Sequence, residues 1–365
     1  MNASKPVLVV GGGLAALACA TRLHEAGREV RIVEATDRWG GSVRTDRVDD
    51  FLLDHDFFPL RTGGPATQRL LDLDKLRLEP LGEPIAMRSE DRWIEDPSIR
   101  FDHSRAAEFR EVFAPTQRAA WARPHDGVQA VASQLAGRLP AATRSLRCTI
   151  ASLARGDAET SDGQRLAYQH VVLACGSSAS QRLLDTAGRA PTTDAAASAG
   201  RLRTCWYFSA PLPPRPEASI MLFADSEARL GRAADSAEPR DGSASDDAMR
   251  ITQIHVSGPA PQRSRTAAAT LVGVLASGQH AAPWALEGAF RERLEAWFGE
   301  DVKRWRSLRG FARKRSAASQ VSVGSGESDA HEITVCQRPE GDGIEERLAS
   351  GCRAADRVLD LLSDP

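Results

Sequence analysis

The strongest constraint on the fold is a glycine triplet, Gly11-Gly12-Gly13, set between an apolar run and a helix-like stretch. Val7 to Val10 has the β-branched, apolar character of a buried strand, and Leu14 to Ala26 that of a helix. A second apolar run, Val30 to Val33, ends at Glu34. The order is strand, glycine turn, helix, strand, acid. Gly11 permits a tight turn, and Gly13 lets backbone approach a pyrophosphate. Ala16 stands where a third glycine is common and still allows close helix–strand packing. The N–H groups opening the helix at Leu14 and Ala15 would face the phosphates at its positive end. Glu34, with Ala35 beside it, lies at about the 20-residue offset of a carboxylate that accepts ribose hydroxyls. A bare triplet is most often a structural turn. The complete unit predicts a dinucleotide site.

The next segment bears on which dinucleotide. Arg38-Trp39-Gly40-Gly41-Ser42-Val43-Arg44-Thr45 follows directly, then Phe51-Leu52-Leu53-Asp54-His55-Asp56-Phe57. A glycine pair there lets the chain wrap back under an extended cofactor, with Arg38 and Arg44 available for its charge. This entry resembles the FAD-binding start of the flavin amine oxidase, protoporphyrinogen oxidase and carotenoid desaturase superfamily. Its R-x-G-G-R-x-x-T element and its strand ending in D-x-G are matched by Arg38, Gly40, Gly41, Arg44, Thr45 and Asp54. Ser42 replaces an arginine of the pattern, and Asp56 replaces its glycine.

The resemblance extends along the chain. Pro124-His125-Asp126-Gly127-Val128 is similar to the turn that leads back to the FAD domain. Arg147-Cys148-Thr149-Ile150 resembles the strand whose backbone meets adenine, which makes Ile150 a candidate contact. Residues Ala167 to Cys175 resemble a further core strand. Ile333 to Cys336, and Ile344 to Gly351, resemble the closing strand and helix, whose N-terminus faces the flavin in the family and implicates Ile344. Here Gln337 and Arg338 stand near the expected Gly-Asp, and Glu346 replaces the glycine at the helix start. The ADP half of the site reads as intact and the flavin half as eroded.

The resemblance implies an α/β protein: a Rossmann-like FAD/NAD(P)-binding domain with an inserted α+β substrate domain, amine oxidase-like. The expected division is 1–53 (FAD domain, first block), 54–123 (short helical connection), 124–184 (second block), 185–325 (substrate domain with an antiparallel sheet) and 326–365 (closing strand and helix). Helices are expected at Thr67 to Leu73, Ala106 to Phe113, Ala285 to Phe298 and 345–362. A β-meander is expected over Ser152 to His170 and a mobile loop over Ala224 to Ala248. The connection is too short for the family's usual helical subdomain.

With 365 residues, 42% of them hydrophobic, the chain can build a large core, and a formal net charge of −2 gives no electrostatic case for nucleic acid. Six scattered cysteines form no C-x-x-C pair, which favours buried thiols in a reducing cytoplasm. The eight histidines make no metal-ligand spacing. Ala18-Cys19-Ala20 imitates a signal cleavage site, but three glycines interrupt the apolar stretch, and no transmembrane segment is expected.

Other candidates have plainer readings. His55 is more simply a hydrogen-bonded histidine, Trp206-Tyr207-Phe208 a core strand, Lys314 part of a solvated basic run, and Asp54 a structural carboxylate. No catalytic residue is assigned. Three functions remain open. The first is an FAD-dependent oxidoreductase taking a hydride from an amine or an allylic, lipophilic small molecule. The second is a non-catalytic FAD-fold binding or scaffold protein. The third is an NAD-binding protein, disfavoured because no second domain with catalytic polar groups is evident. Oligomeric state is not legible.

Overall fold

The computed structural model describes residues 5–80, 85–89, 92–94, 121–189, 191–192, 202–214, 220–223, 249–257, 269–278, 283–314, 322–323, 333–336 and 343–363. Its N-terminal core is a five-stranded sheet in the order Arg144–Ser145, Val30–Val33, Val7–Val10, His170–Leu173, Ile333–Val335. All four pairings are parallel. Val7–Val10 is buried throughout, as a central parallel strand covered on both faces must be. Helix Leu14–Glu25 follows the glycine turn and ends at Gly27, which takes φ +76° just past the last turn. The closing helix, Ile344–Leu361, packs along it, and the two approach closely at Gly351, where a Cβ would overlap the Ala15 carbonyl. A three-stranded antiparallel meander of Ile150–Ala154, Asp157–Thr160 and Arg165–Ala167 covers the expected stretch.

The second large unit is a seven-stranded sheet in the order Arg306–Lys314, Leu202–Ala210, Thr270–Gly278, Arg250–Ser257, Ile220–Phe223, Ile85–Ser89, Arg92–Ile94. One face buries Trp206, Phe208, Ile254, Val272 and Val274 under Leu286, Phe290 and Leu294 of helix Pro283–Phe298. The other packs Cys205, Tyr207, Leu271 and Leu275 against Phe51 and Leu53. Those two residues belong to a hairpin, Thr45–Val48 with Phe51–Asp54, that leads out of the Rossmann-like unit. The hairpin therefore joins the second sheet to the Gly40-Gly41 loop.

Three details differ from the sequence reading. The segment 54–123, expected as a helical connection, also supplies strands. Ile85–Ser89 and Arg92–Ile94 extend the seven-stranded sheet by pairing with Ile220–Phe223, a long-range contact that local propensity does not report. Within that segment the expected helix at Thr67 to Leu73 is split: Pro65–Leu70 ends, and Leu73–Leu76 restarts with Asp72 accepting from the Lys75 N–H. The strand expected at Arg147 to Ile150 lies earlier, at Arg144–Ser145. Arg147 takes φ +54°, which ends extended structure, and Ile150 opens the meander. The helix expected at Ala106 to Phe113, the loop at Ala224 to Ala248, and Gln337 and Arg338 lie outside the described residues.

Candidate cofactor site

The three glycines of the turn have different neighbours. Gly11, at φ +120°, has no room for a side chain: a Cβ would stand 2.5 Å from the Ala174 carbonyl oxygen. At Gly12 a Cβ would come 2.7 Å from the Glu34 side chain. At Gly13 a Cβ would meet nothing within 4 Å, so this glycine faces open space. Leu14 and Ala15 begin the helix directly after it, with no side chain capping the N-terminus. Glu34 is nearly buried; its Oε1 accepts from the Thr36 N–H at 2.8 Å, and its backbone is fixed by Ser145 and Cys148, with Ala35 following at the surface.

The second glycine pair is folded back onto the first turn. The Gly40 N–H donates to the Gly12 carbonyl at 2.8 Å, and Gly13 and Gly40 form an isolated parallel bridge. Gly40 and Gly41 both have positive φ, and a Cβ on Gly41 would lie 3.1 Å from the Gly13 Cα. The loop is tied down from several sides. Arg38 pairs with Asp46 at 2.9 Å, Arg44 donates to the Gly41 carbonyl at 2.8 Å and to Thr36, and Gln129 donates to the Trp39 carbonyl. Asp54 completes the frame, accepting from Thr45 Oγ1 at 2.5 Å and from the Val128 N–H at 3.1 Å. Burial pushes its carboxyl above the ordinary range, partly offset by the Thr45 hydrogen bond. Gly127, at φ +82°, is the turn residue that lets Thr45 approach; a Cβ there would overlap its side chain.

The other end of the site is crowded with charge. Asp56, 1% exposed, accepts from Arg203 at 2.9 Å and Arg313 at 2.7 Å. One buried carboxylate thus joins the loop to two strands of the seven-stranded sheet. Phe57 stacks on His255 with ring centroids 3.7 Å apart. The guanidiniums of Arg313 and Arg347 both lie over the Phe58 ring, at 5.4 and 5.2 Å. Arg347 also reaches Ser42, Nη1 donating to Oγ at 3.1 Å. Two acids share the start of the closing helix. Glu345 turns outward from it and accepts from the Ala66 and Thr67 N–H groups, capping helix Pro65–Leu70. Glu346 folds back on Gly343, the residue preceding the helix. Its Oε2 fills the place of a Gly343 side chain and is buried with no hydrogen-bond partner. Ile344, beside them, is fully buried in the core.

The geometry brings Gly11, Gly13, Leu14, Ala15, Glu34, Gly40, Gly41, Ser42 and Arg44 around one turn. Ile150 opens the meander, and its side chain is buried with Leu8, Val10 and Val33 of the parallel sheet. The sequence reading missed the Asp56 pair, the Glu345 cap and the Arg347–Ser42 contact. No local signal marks these contacts, because their partners are distant along the chain. His55 lies 3.1 Å from Asp46 and stacks on Phe311; burial lowers its pKa. Trp206 and Phe208 are core, and Tyr207 donates to the Asp54 carbonyl at 2.7 Å. Lys314 ends its strand opposite Leu202. Among the described residues no group of His, Cys, Asp or Glu is placed to hold a metal, and no helix is long and apolar enough to cross a membrane.

A family model for the NAD(P)-binding Rossmann-like domain matches residues 9–72. Among solved structures, putrescine oxidase bound to putrescine is similar at 13% identity, over 98% of this chain and 99% of that one, with a TM-score of 0.65. Cyclohexylamine oxidase from Brevibacterium oxydans IH-35A is similar at 14% identity over 99% and 100%, with a TM-score of 0.62. Reduced UDP-galactopyranose mutase is similar at 10% identity over 99% and 97%, with a TM-score of 0.67. At these identities the likeness is one of fold. The chain carries an NAD(P)-binding Rossmann-like domain at residues 9–72 and has, from end to end, the amine oxidase-like fold.

Proposed function

We propose that this chain is an FAD-dependent oxidoreductase of amine-oxidase type, acting on a small molecule. The observation that carries the reading is the open face of Gly13, backed by the folded-over Gly40-Gly41 pair and flanked by Glu34. That cradle fits a diphosphate between two adenosine- and flavin-bearing halves. The free N–H groups at Leu14 and Ala15 would receive its charge, and Glu34 would accept ribose hydroxyls. Arg347 brings to Ser42 the guanidinium that the loop lacks at that position. Asp54, Thr45 and Gln129 hold the loop in shape. When bound, the flavin supplies a hydride acceptor. Residence in the cytoplasm belongs to the same reading, supported by six cysteines without disulfides. A putrescine oxidase and a cyclohexylamine oxidase among the similar structures favour an amine as donor.

A second reading, a non-catalytic FAD-fold protein, is supported by Glu346, whose carboxylate stands at the N-terminus of the closing helix. A carboxylate there competes with an anionic flavin edge for the same helix dipole. Two measurements separate the readings. Protein purified with FAD should have a flavin spectrum, and anaerobic addition of a substrate should bleach it. Colourless protein with no FAD affinity removes the first reading; bound flavin that no amine or allylic donor bleaches supports the second.

A further inference from the structure

The face of the seven-stranded sheet that looks toward the cofactor loop carries buried hydrogen-bonding groups that the fold leaves unused. Gln253 and His255 follow a bulge in strand Arg250–Ser257 and therefore share this face, while Ile251, Ile254 and Val256 pack toward helix Pro283–Phe298. Gln253 is 4% exposed, and its Nε2 has no hydrogen-bond partner. His255 Nε2 has none either, and its ring is fixed against Phe57. A buried amide N–H without an acceptor is uncommon in folded proteins and calls for an explanation. The charges nearby are net positive: three guanidiniums, Arg123, Arg203 and Arg313, stand against two carboxylates, Glu79 and Asp56. Arg123 and Arg203 both act on His255, which is held neutral chiefly by burial, with a pKa lowered to about 3. Arg203 and Arg313 project from neighbouring strands at the same register, with Asp56 between them. A cationic amine placed here would meet donors and positive charge. An acceptor-only anion would satisfy them.

We propose that Gln253 and His255, beside Arg203 and Phe57, form a recognition site for an organic carboxylate, so that the substrate of this chain carries an acid group. The word substrate rests on the oxidoreductase reading; the binding site itself does not need the flavin. Phe57 offers an apolar wall for the body of such a molecule, and the Gln253 amide and a neutral imidazole offer N–H donors to its oxygens.

The test is thermal denaturation of the full-length protein, as purified, titrated with phenylacetate, benzoate and hexanoate and with the matched cations phenethylamine, benzylamine and hexylamine. At least one carboxylate should raise the Tm saturably, and any shift given by a matched amine, bound as donor elsewhere, should survive Gln253→Leu. Arg203→Gln leaves Asp56 paired with Arg313 and should lower carboxylate affinity at least tenfold. Gln253→Leu gives a readout that a merely structural role would not. Because the amide has no partner, its replacement should raise the Tm of the unliganded protein while abolishing the carboxylate shift. Amine shifts that Gln253→Leu abolishes along with the carboxylate shift, no carboxylate shift at all, or a Gln253→Leu variant with a lowered Tm would each overturn the proposal. These outcomes are independent of the flavin spectrum, so failure here and failure of the oxidoreductase reading are distinguishable.

Discussion

The two ends of the cofactor site are built by opposite means. At the glycine turn, side chains are absent: Gly11 is packed too tightly for one, Gly13 faces open space, and Gly40-Gly41 close over the turn through backbone contacts. At the other end, side chains are abundant and charged: Asp56 between two arginines, Arg347 across to Ser42, Glu346 folded onto Gly343. The first arrangement suits a ligand that approaches backbone. The second is a network of side chains that bond one another. One fold thus holds a stretch shaped by missing side chains next to one tied together by charged ones.

Removing Asp56 should produce the largest effect. Asp56→Ala leaves two partly buried guanidiniums without their shared carboxylate, and breaking such a pair costs about 3–5 kcal/mol. Urea denaturation measures it; a loss below about 1 kcal/mol would mean that this end is not held together by charge.

Within the glycine turn, Gly11→Val and Gly13→Val should separate structure from binding. At Gly11 the new side chain meets the Ala174 carbonyl in a left-handed backbone conformation, so stability should fall by about 2–3 kcal/mol or more. At Gly13 the fold should be unaffected. Equal stability losses at the two positions would erase the distinction drawn between them.

A smaller effect is expected from Glu345→Ala, which removes the acceptor for two N–H groups at the start of helix Pro65–Leu70. The loss should be about 1–2 kcal/mol, read by denaturation. The smallest step, taken per unit of pH, is a pH dependence. His255 titrates near 3 when folded, against 6.5 ordinarily, so the unfolded chain binds the extra proton between these values. Stability should therefore rise with pH from about 3 to 6.5, by no more than about 1.4 kcal/mol per unit, and level off above. His255→Gln should flatten that part of the profile. An unchanged slope would show that the imidazole is not held neutral.

This contrast also explains what the sequence could reveal. The glycine turn was legible because each position is set by local geometry: a positive φ, a close approach, an acid at a fixed offset. Helix Pro283–Phe298 was legible from apolar periodicity, and the meander from its turn residues, Gly156-Asp157 and Asp162-Gly163. The strands Ile85–Ser89 and Arg92–Ile94 and the position of Arg144–Ser145 were not, because pairing partners far along the chain decide them, and the split at Leu71 and Asp72 turns on a cap, Asp72 accepting from the Lys75 N–H, that the apolar pattern does not show. Glu346 stands where the family has a glycine at the helix start, and its carboxylate folds onto Gly343; Glu345, its neighbour, instead serves another helix. Two adjacent glutamates look alike in sequence and diverge only through their partners. Asp56 was visible as a departure from the family glycine, but the two arginines that explain it lie about 150 and 260 residues away in sequence, beyond any local pattern.

The central claim is that the glycine turn still receives the diphosphate of FAD. Calorimetric titration of FAD and of ADP into the wild-type protein and into Gly13→Val tests it directly. The account predicts that the wild type binds both ligands and that Gly13→Val, with an unchanged Tm, binds both at least tenfold more weakly. Wild-type protein that binds neither, or a Gly13→Val variant that binds both as the wild type does, would contradict it.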